Sequence, residues 1–201
     1  VDSIQVTHAN LAAVNADKAL AGHVAELLRE KSKYSLRGKQ VATVEVGIET
    51  GSPRLLERHM AGKCNPFKPA EWPNIVLSSL SFMEDRDWLA LATILVGLPG
   101  ETDEDTEHTI KLVENIKSKG LRTFLAPLIF VPLGTCSLRE AAMKSFIDLS
   151  ERQVDVFTLA WEQNIKVWGP DFFKSPPYTS YWAKLGFKLA TSVLYNLKYK
   201  R

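Results

Sequence analysis

Val41-Ala42-Thr43-Val44-Glu45-Val46-Gly47-Ile48-Glu49 decides the fold. From Ala42 onward the apolar residues Ala42, Val44, Val46 and Ile48 alternate with Thr43, Glu45, Gly47 and Glu49. Successive side chains of a strand point to opposite faces, so one face of this strand is apolar and the other polar. The next residues, Thr50-Gly51-Ser52-Pro53, turn the chain into a helix. Ser52 suits the N-cap, and Pro53 suits the first helical position.

Working outward, residues 3–8 repeat the alternation, with Ile4 and Val6 set against Ser3, Gln5 and Thr7. A helix is predicted over 16–31, followed by a polar break at 33–39. Downstream, a helix is predicted over 69–84, with Pro73 in its first turn. A strand over 89–97 follows and ends in Gly97-Leu98-Pro99-Gly100-Glu101-Thr102. Thr102 and Asp105 have capping-box spacing, and Asp103, Glu104 and Asp105 complement the dipole of a new helix. Gly120 stops that helix. A strand over 123–131 runs into Pro132 and Gly134.

This β-α-β-α-β-α-β order predicts an α/β domain with a parallel sheet. Parallel strands covered on both faces read as continuous apolar runs. The two alternating strands therefore predict either a barrel, or part of one, with a polar lumen, or an edge strand with one face in water. The expected division is 1–140 for this unit and 141–201 for a helical C-terminal extension. In the extension a helix over 148–168 precedes a turn at Gly169-Pro170. A last helix is expected from about Thr179, with Trp182, Leu185, Leu189 and Val193 at helical spacing.

The composition fits a soluble globular chain of 201 residues, 45% hydrophobic and 24% charged. A net charge of +2 offers no concentrated basic face for a nucleic acid. The lysines of the tail, from Lys184 to Lys200, read as the solvated side of a packed helix. No apolar run is long enough to span a bilayer. Two cysteines, Cys64 and Cys136, form no ligand cluster or disulfide framework, which points to the cytoplasm. None of His8, His23, His59 and His108 has metal-ligand spacing. The chain begins at Val1 and reads as entered in mid-domain.

Two strand ends carry the chemistry. Glu49 ends one strand, where barrels and open sheets place binding groups. Its carboxylate suits ribose hydroxyls or an ammonium as donors. The 97–102 turn has no GK[ST] sequence, and the acidic first turn behind it disfavours a phosphate. Each motif alone is also a well-made strand-to-helix turn.

Together, in this order and spacing, the segments 47–52 and 97–105 resemble the radical S-adenosylmethionine (SAM) superfamily, as does the apolar run 125–135. The resemblance covers about residues 3–139. It implies a partial (β/α) barrel of the radical SAM type, of which this chain holds about the last four strands. It also implies a 4Fe–4S cluster that cleaves SAM to methionine and a 5′-deoxyadenosyl radical. The CxxxCxxC ligands are absent from this sequence, so the chain alone is expected to be inactive and to need the missing N-terminal part of its parent. Arg58-His59-Met60-Ala61-Gly62-Lys63 and Trp72-Pro73 most resemble the subgroup with a cobalamin-binding domain, which implies cobalamin-dependent methyl transfer to an unknown substrate. By this resemblance Glu49 and Ser52 meet the ribose or amino-acid part of SAM. Leu98, beside Gly97, packs on adenine, and the backbone of Phe130 and Val131 meets the adenine edge. Gln5 and Glu45 line the lumen beside Gly47.

Two other readings stand beside this one. A different (β/α) enzyme would use Lys63 as a Schiff-base lysine, although its loop position counts against that. A binding module would use the aromatic tail, including Trp161, Trp168 and Tyr178. A sheet lacking its first strands leaves an edge at 3–8, from which self-association is expected.

Overall fold

The computed structural model describes residues 3–174 apart from Leu133, Thr135 and Cys136, with the backbone alone over 170–174. The elements begin with a two-residue strand, β1 (His8–Ala9), and two helices, α1 (Leu11–Ala16) and α2 (Lys18–Glu30). A small hairpin, β2 (Ser35–Leu36) and β3 (Lys39–Gln40), leads into β4 (Ala42–Glu49). Then follow α3 (Pro53–His59), α4 (Trp72–Glu84), β5 (Trp88–Val96), α5 (Asp103–Ser118), β6 (Phe124–Ile129) and α6 (Glu151–Lys174). The main sheet has the order β1-β4-β5-β6, and all its pairings are parallel. The expected α/β architecture is therefore present as an open, parallel four-stranded sheet.

The alternation of β4 is realised. Ala42, Val44, Val46 and Ile48 are buried in one core with Ala90, Ala92, Ile94 and Val96 of β5. Ile75, Val76, Leu80 and Met83 of α4 and Val113 and Ile116 of α5 cover that face. Each fully buried Val, Ile, Leu or Met side chain among them contributes about 1.5–3 kcal/mol. The opposite face is polar at β1 and β4, where His8 meets Glu45, keeps Thr93 on β5, and turns apolar toward β6. Moving across the sheet, Glu45 lies beside Leu91, which lies beside Phe124, and Gly47 beside Thr93, beside Ala126. Leu91 and Leu128 remain exposed on this open face.

α6 closes the β6 side. Asn164 accepts from the Leu125 amide at 2.8 Å and donates to the Leu125 carbonyl at 2.7 Å, so a side-chain amide stands in for a neighbouring strand. Covering an edge in this way removes a template for unwanted pairing. Val156 and Ala160 of α6 join the main core.

The structure corrects several expectations. The strand expected over 3–8 pairs only at β1, because the Ile4 amide donates to the Lys31 carbonyl at the end of α2. The helix expected over 16–31 is two helices. Asn10 caps α1 through the Ala12 and Ala13 amides, and Asp17 ends α1 and caps α2. The polar break at 33–39 holds the β2–β3 hairpin. Its two-residue turn, Arg37-Gly38, has φ of 53° and 79°, as the primed hairpin turns require. The turn expected at Gly169-Pro170 is instead part of α6, which runs through to Lys174. Pro170 removes one amide donor there without ending the helix. The last helix and the residues from Tyr178 onward lie outside the described residues.

Candidate functional site at the C-terminal ends of β4 to β6

The end of β4 is bent out of regular geometry. The register with β5 shifts between Gly47 and Glu49. Glu49 itself has φ of 63°, a left-handed conformation that a non-glycine residue adopts at a cost of about 1–2 kcal/mol. Strain of this kind persists only where the surroundings over-determine it. Here the Trp72 indole donates to both the Ile48 and Thr50 carbonyls, at 3.2 and 3.1 Å. The Gly51 amide donates to Thr109 Oγ1 at 3.0 Å. A Cβ at Gly51 would lie 2.5 Å from the His108 carbonyl oxygen, so the turn fits against α5 only with glycine there.

This bend aims Glu49 into a cleft of about 510 Å³. Lys63 Nζ lies 3.1 Å from Glu49 Oε1, and Thr93 Oγ1 donates to Oε2 at 3.3 Å. A Cβ at Gly47 would overlap Glu49 Oε1 and sit 2.6 Å from Lys63 Nζ, so the missing side chain of Gly47 makes room for this pair. The rest of the wall is mostly apolar, with Leu95, Leu98, Phe130 and Leu138, and includes His59 and Ser137. Leu98 and Phe130 pack with Leu55 in a small second core. The cleft therefore joins one carboxylate, one ammonium, an imidazole and a hydroxyl to a mainly apolar wall, the usual make-up of a small-molecule site.

Lys63 reaches Glu49 from a loop that is tied down from two sides. The Asn10 side chain donates to the Lys63 carbonyl at 3.2 Å. Cys64, fully buried, anchors the loop in the main core. His59 Nε2 lies 2.8 Å from the Pro99 carbonyl, which joins α3 to the Gly97–Gly100 turn.

Behind the cleft a carboxylate cluster holds the two turns together. Asp105 accepts from Ser52 Oγ, from Arg54 Nε and Nη2, and from the Thr102 amide and hydroxyl. Burial alone would push its carboxyl up, but these donors outweigh burial and hold it well below the usual carboxylate range. Glu101 shows the opposite balance. Burial pushes its carboxyl up, and the Gly97 amide at 2.6 Å and Gln153 Nε2 at 2.6 Å offset this only in part. Glu101 thus ties the 97–100 turn to α6.

Of the residues singled out in the sequence, the structure brings Glu49, Leu98 and Phe130 together at this cleft, with Gly47 beneath them. Gly97, with φ of 82°, forms the adjoining turn, and Val131 is exposed just beyond β6. Ser52 is 1% exposed; its hydroxyl caps α3 and donates to Asp105, so it does not face the cleft. Gln5 and Glu45 line a separate hollow at the other end of the open face, with Leu91, Phe124 and Trp168. Four residues of strand separate Glu45 from Glu49, about 13 Å. Lys63 is the residue that sequence reasoning undervalues, because it belongs to a loop. Its ammonium nevertheless stands at the strand end, and only the folded path of the loop reveals this.

No family model matches the chain. Among curated proteins, the tRNA-2-methylthio-N(6)-dimethylallyladenosine synthase of Ehrlichia canis (strain Jake) is 36% identical over 85 residues. The aligned part is 42% of this chain and 18% of that protein. The chain thus spans less than a fifth of the curated relative it matches. This similarity supports the radical SAM superfamily, in agreement with the two strand-end motifs.

Cluster ligation is a separate question of donor chemistry. A site-differentiated 4Fe–4S cluster takes thiolates from closely spaced cysteines. This chain has two cysteines in all, and Cys64 is fully buried in the core. Among the described residues no group of three His, Cys, Asp or Glu side chains is placed to hold a metal ion. The residues present do not fit the cluster. None of the described helices is long and apolar enough to cross a membrane.

Proposed function

We propose that this chain supplies the SAM-binding side of a radical SAM enzyme, with the iron–sulfur cluster held by residues outside it. The observation that carries this reading is the strained, buttressed Glu49 at the end of a parallel strand, facing a cleft with an apolar wall. A carboxylate in that position accepts from the hydroxyls of a ribose, while Leu98 and Phe130 offer a surface for an adenine ring. The chain's own residues bind and orient the nucleoside, and radical chemistry belongs to the cofactor pair. A cytoplasmic setting is part of the same reading.

The finer assignments differ in support. The cobalamin reading rests on the wording of 58–63 and Trp72-Pro73, and these residues have structural duties here. Trp72 is fully buried and locks the β4 turn, and the Arg58 guanidinium lies against Gly100. The name of the curated relative, a synthase of a methylthio-substituted tRNA adenosine, makes sulfur insertion into a nucleic-acid base the competing outcome.

The test is equilibrium dialysis of the chain against labelled SAM at millimolar concentration. Saturable binding that is displaced by adenosine and weakened at least tenfold in Glu49→Ala is expected. A wild-type chain that retains no SAM, with its circular dichroism intact, would overturn the reading.

A further inference from the structure

Lys31-Ser32-Lys33-Tyr34-Ser35-Leu36-Arg37-Gly38-Lys39-Gln40 carries four cations and no carboxylate in ten residues. The net charge of +2 for the whole chain conceals this concentration. The segment holds the β2–β3 hairpin, which is folded tightly on itself. Ser35 pairs with Gln40, and Leu36 with Lys39. The Val41 amide donates to the Tyr34 carbonyl at 3.0 Å, and Gln40 Nε2 donates to the Ser32 carbonyl at 2.6 Å. These bonds lay Lys39 alongside the stretch that follows Lys31 and Lys33, with Arg37 at the turn. Lys31, Lys33 and Lys39 are exposed and form no ion pair among the described residues. Like charges gathered in this way repel, and no carboxylate of the hairpin offsets them. Two further features adjoin the cations. Tyr34 stands among them with 52% of its surface exposed. A hollow of about 140 Å³ opens beside it, with an apolar lining of Ile4, Val6 and Leu28 and a polar one of Ser32, Lys33 and Tyr34.

We propose that the hairpin and this hollow form a nucleotide-binding site, with phosphates on the lysines and a base against Tyr34. An acidic peptide would use the charges alone. A nucleotide uses the charges, the ring and the hollow together. Cations that follow a phosphate backbone and an aromatic ring that stacks on a base are the two parts of a single-strand site, and the stacking tolerates any base. The site lies at the N-terminal end of β4, about 23 Å of strand away from Glu49. It is thus separate from the SAM cleft, and neither reading depends on the other.

A free nucleotide and a single strand share this chemistry, and one titration separates them. The probe is a fluorescein-labelled oligouridylate of about 12 nucleotides, followed by anisotropy, with UMP and poly-L-glutamate as competitors. Saturable binding is expected, weakened about 20-fold between about 50 and 200 mM salt if three phosphates are held. Tyr34→Ala should weaken it about tenfold or more at an unchanged salt slope, and Tyr34→Phe should restore it. Lys33→Ala combined with Lys39→Ala should lower the affinity and flatten the slope by about 1.4. UMP that competes as well as unlabelled oligouridylate makes the free nucleotide the ligand, and UMP that competes only weakly makes it the strand. Poly-L-glutamate that displaces the probe as well as oligouridylate does, with Tyr34→Ala without effect, would show a patch of charge alone and overturn the proposal. So would a chain with intact circular dichroism that shows no saturable binding at the lower salt. Retention of labelled SAM is read separately, so failure here leaves the SAM reading standing, and the reverse holds.

Discussion

At the scale of single residues, the site depends on one carboxylate held in an unfavourable conformation. Glu49→Ala and Glu49→Gly both remove the pair with Lys63, but only the glycine relieves the left-handed φ of 63°. Glu49→Gly is therefore expected to be about 1 kcal/mol more stable than Glu49→Ala by urea denaturation, with ligand binding lost in both. Gly47→Ala should behave differently. Its new methyl group meets the far ends of two flexible side chains, not backbone. The loss of stability, read from the urea midpoint, should be less than about 1 kcal/mol, while SAM binding drops because Glu49 and Lys63 are pushed apart. The sequence shows Glu49 by its place at the end of an alternating strand. It does not show Lys63, because no local pattern records where a loop will lay an ammonium. Ser52 misleads for the reverse reason: a hydroxyl that suits a ligand suits an N-cap equally well.

At the scale of elements, strand ends and helix starts are legible wherever one residue type does one job. The Thr102–Asp105 capping box and the Ser52-Pro53 start of α3 both form as expected. The split between α1 and α2 is hidden in the sequence because Asp17 ends one helix and caps the next, with no glycine or proline to mark the place. The seal on β6 is invisible too, since Asn164 lies 39 residues from Leu125. Asn164→Ala would leave the Leu125 amide and carbonyl buried without partners. A loss of about 2–4 kcal/mol is expected, together with faster deuterium exchange at Leu125, read by urea denaturation and NMR.

At the scale of the whole molecule, Asp105 links α3, the 97–102 turn and α5 through donors on both sides. Its carboxyl is depressed in the folded state, so its stabilisation is fully present above the unfolded value of about 4 and is lost as pH falls below it. Glu101 works with the opposite sign, because its raised carboxyl favours folding at low pH and less so as pH rises through its folded value. The difference between wild type and Asp105→Asn isolates the first effect. At neutral pH the variant should be about 2–3 kcal/mol less stable, a figure reduced because Arg54 is half exposed, and the gap should narrow on acidification below pH about 4. The parallel sheet is legible from the βα rhythm. The grading of its open face from polar to apolar is not, since it emerges only when the strands are set side by side. With α6 sealing one side, association through the β1 side is expected as a concentration-dependent rise in mass by light scattering, and a monomer at all concentrations would count against it.

The loop that carries Lys63 is pinned by Cys64, whose thiol is fully buried. That thiol is a natural clock. With Cys136 replaced by serine, an alkylating reagent can reach Cys64 only in the moments when the loop lifts. The rate of labelling then reports how often the cleft comes apart, and a ligand that settles between Glu49 and Lys63 should slow it in proportion to its occupancy.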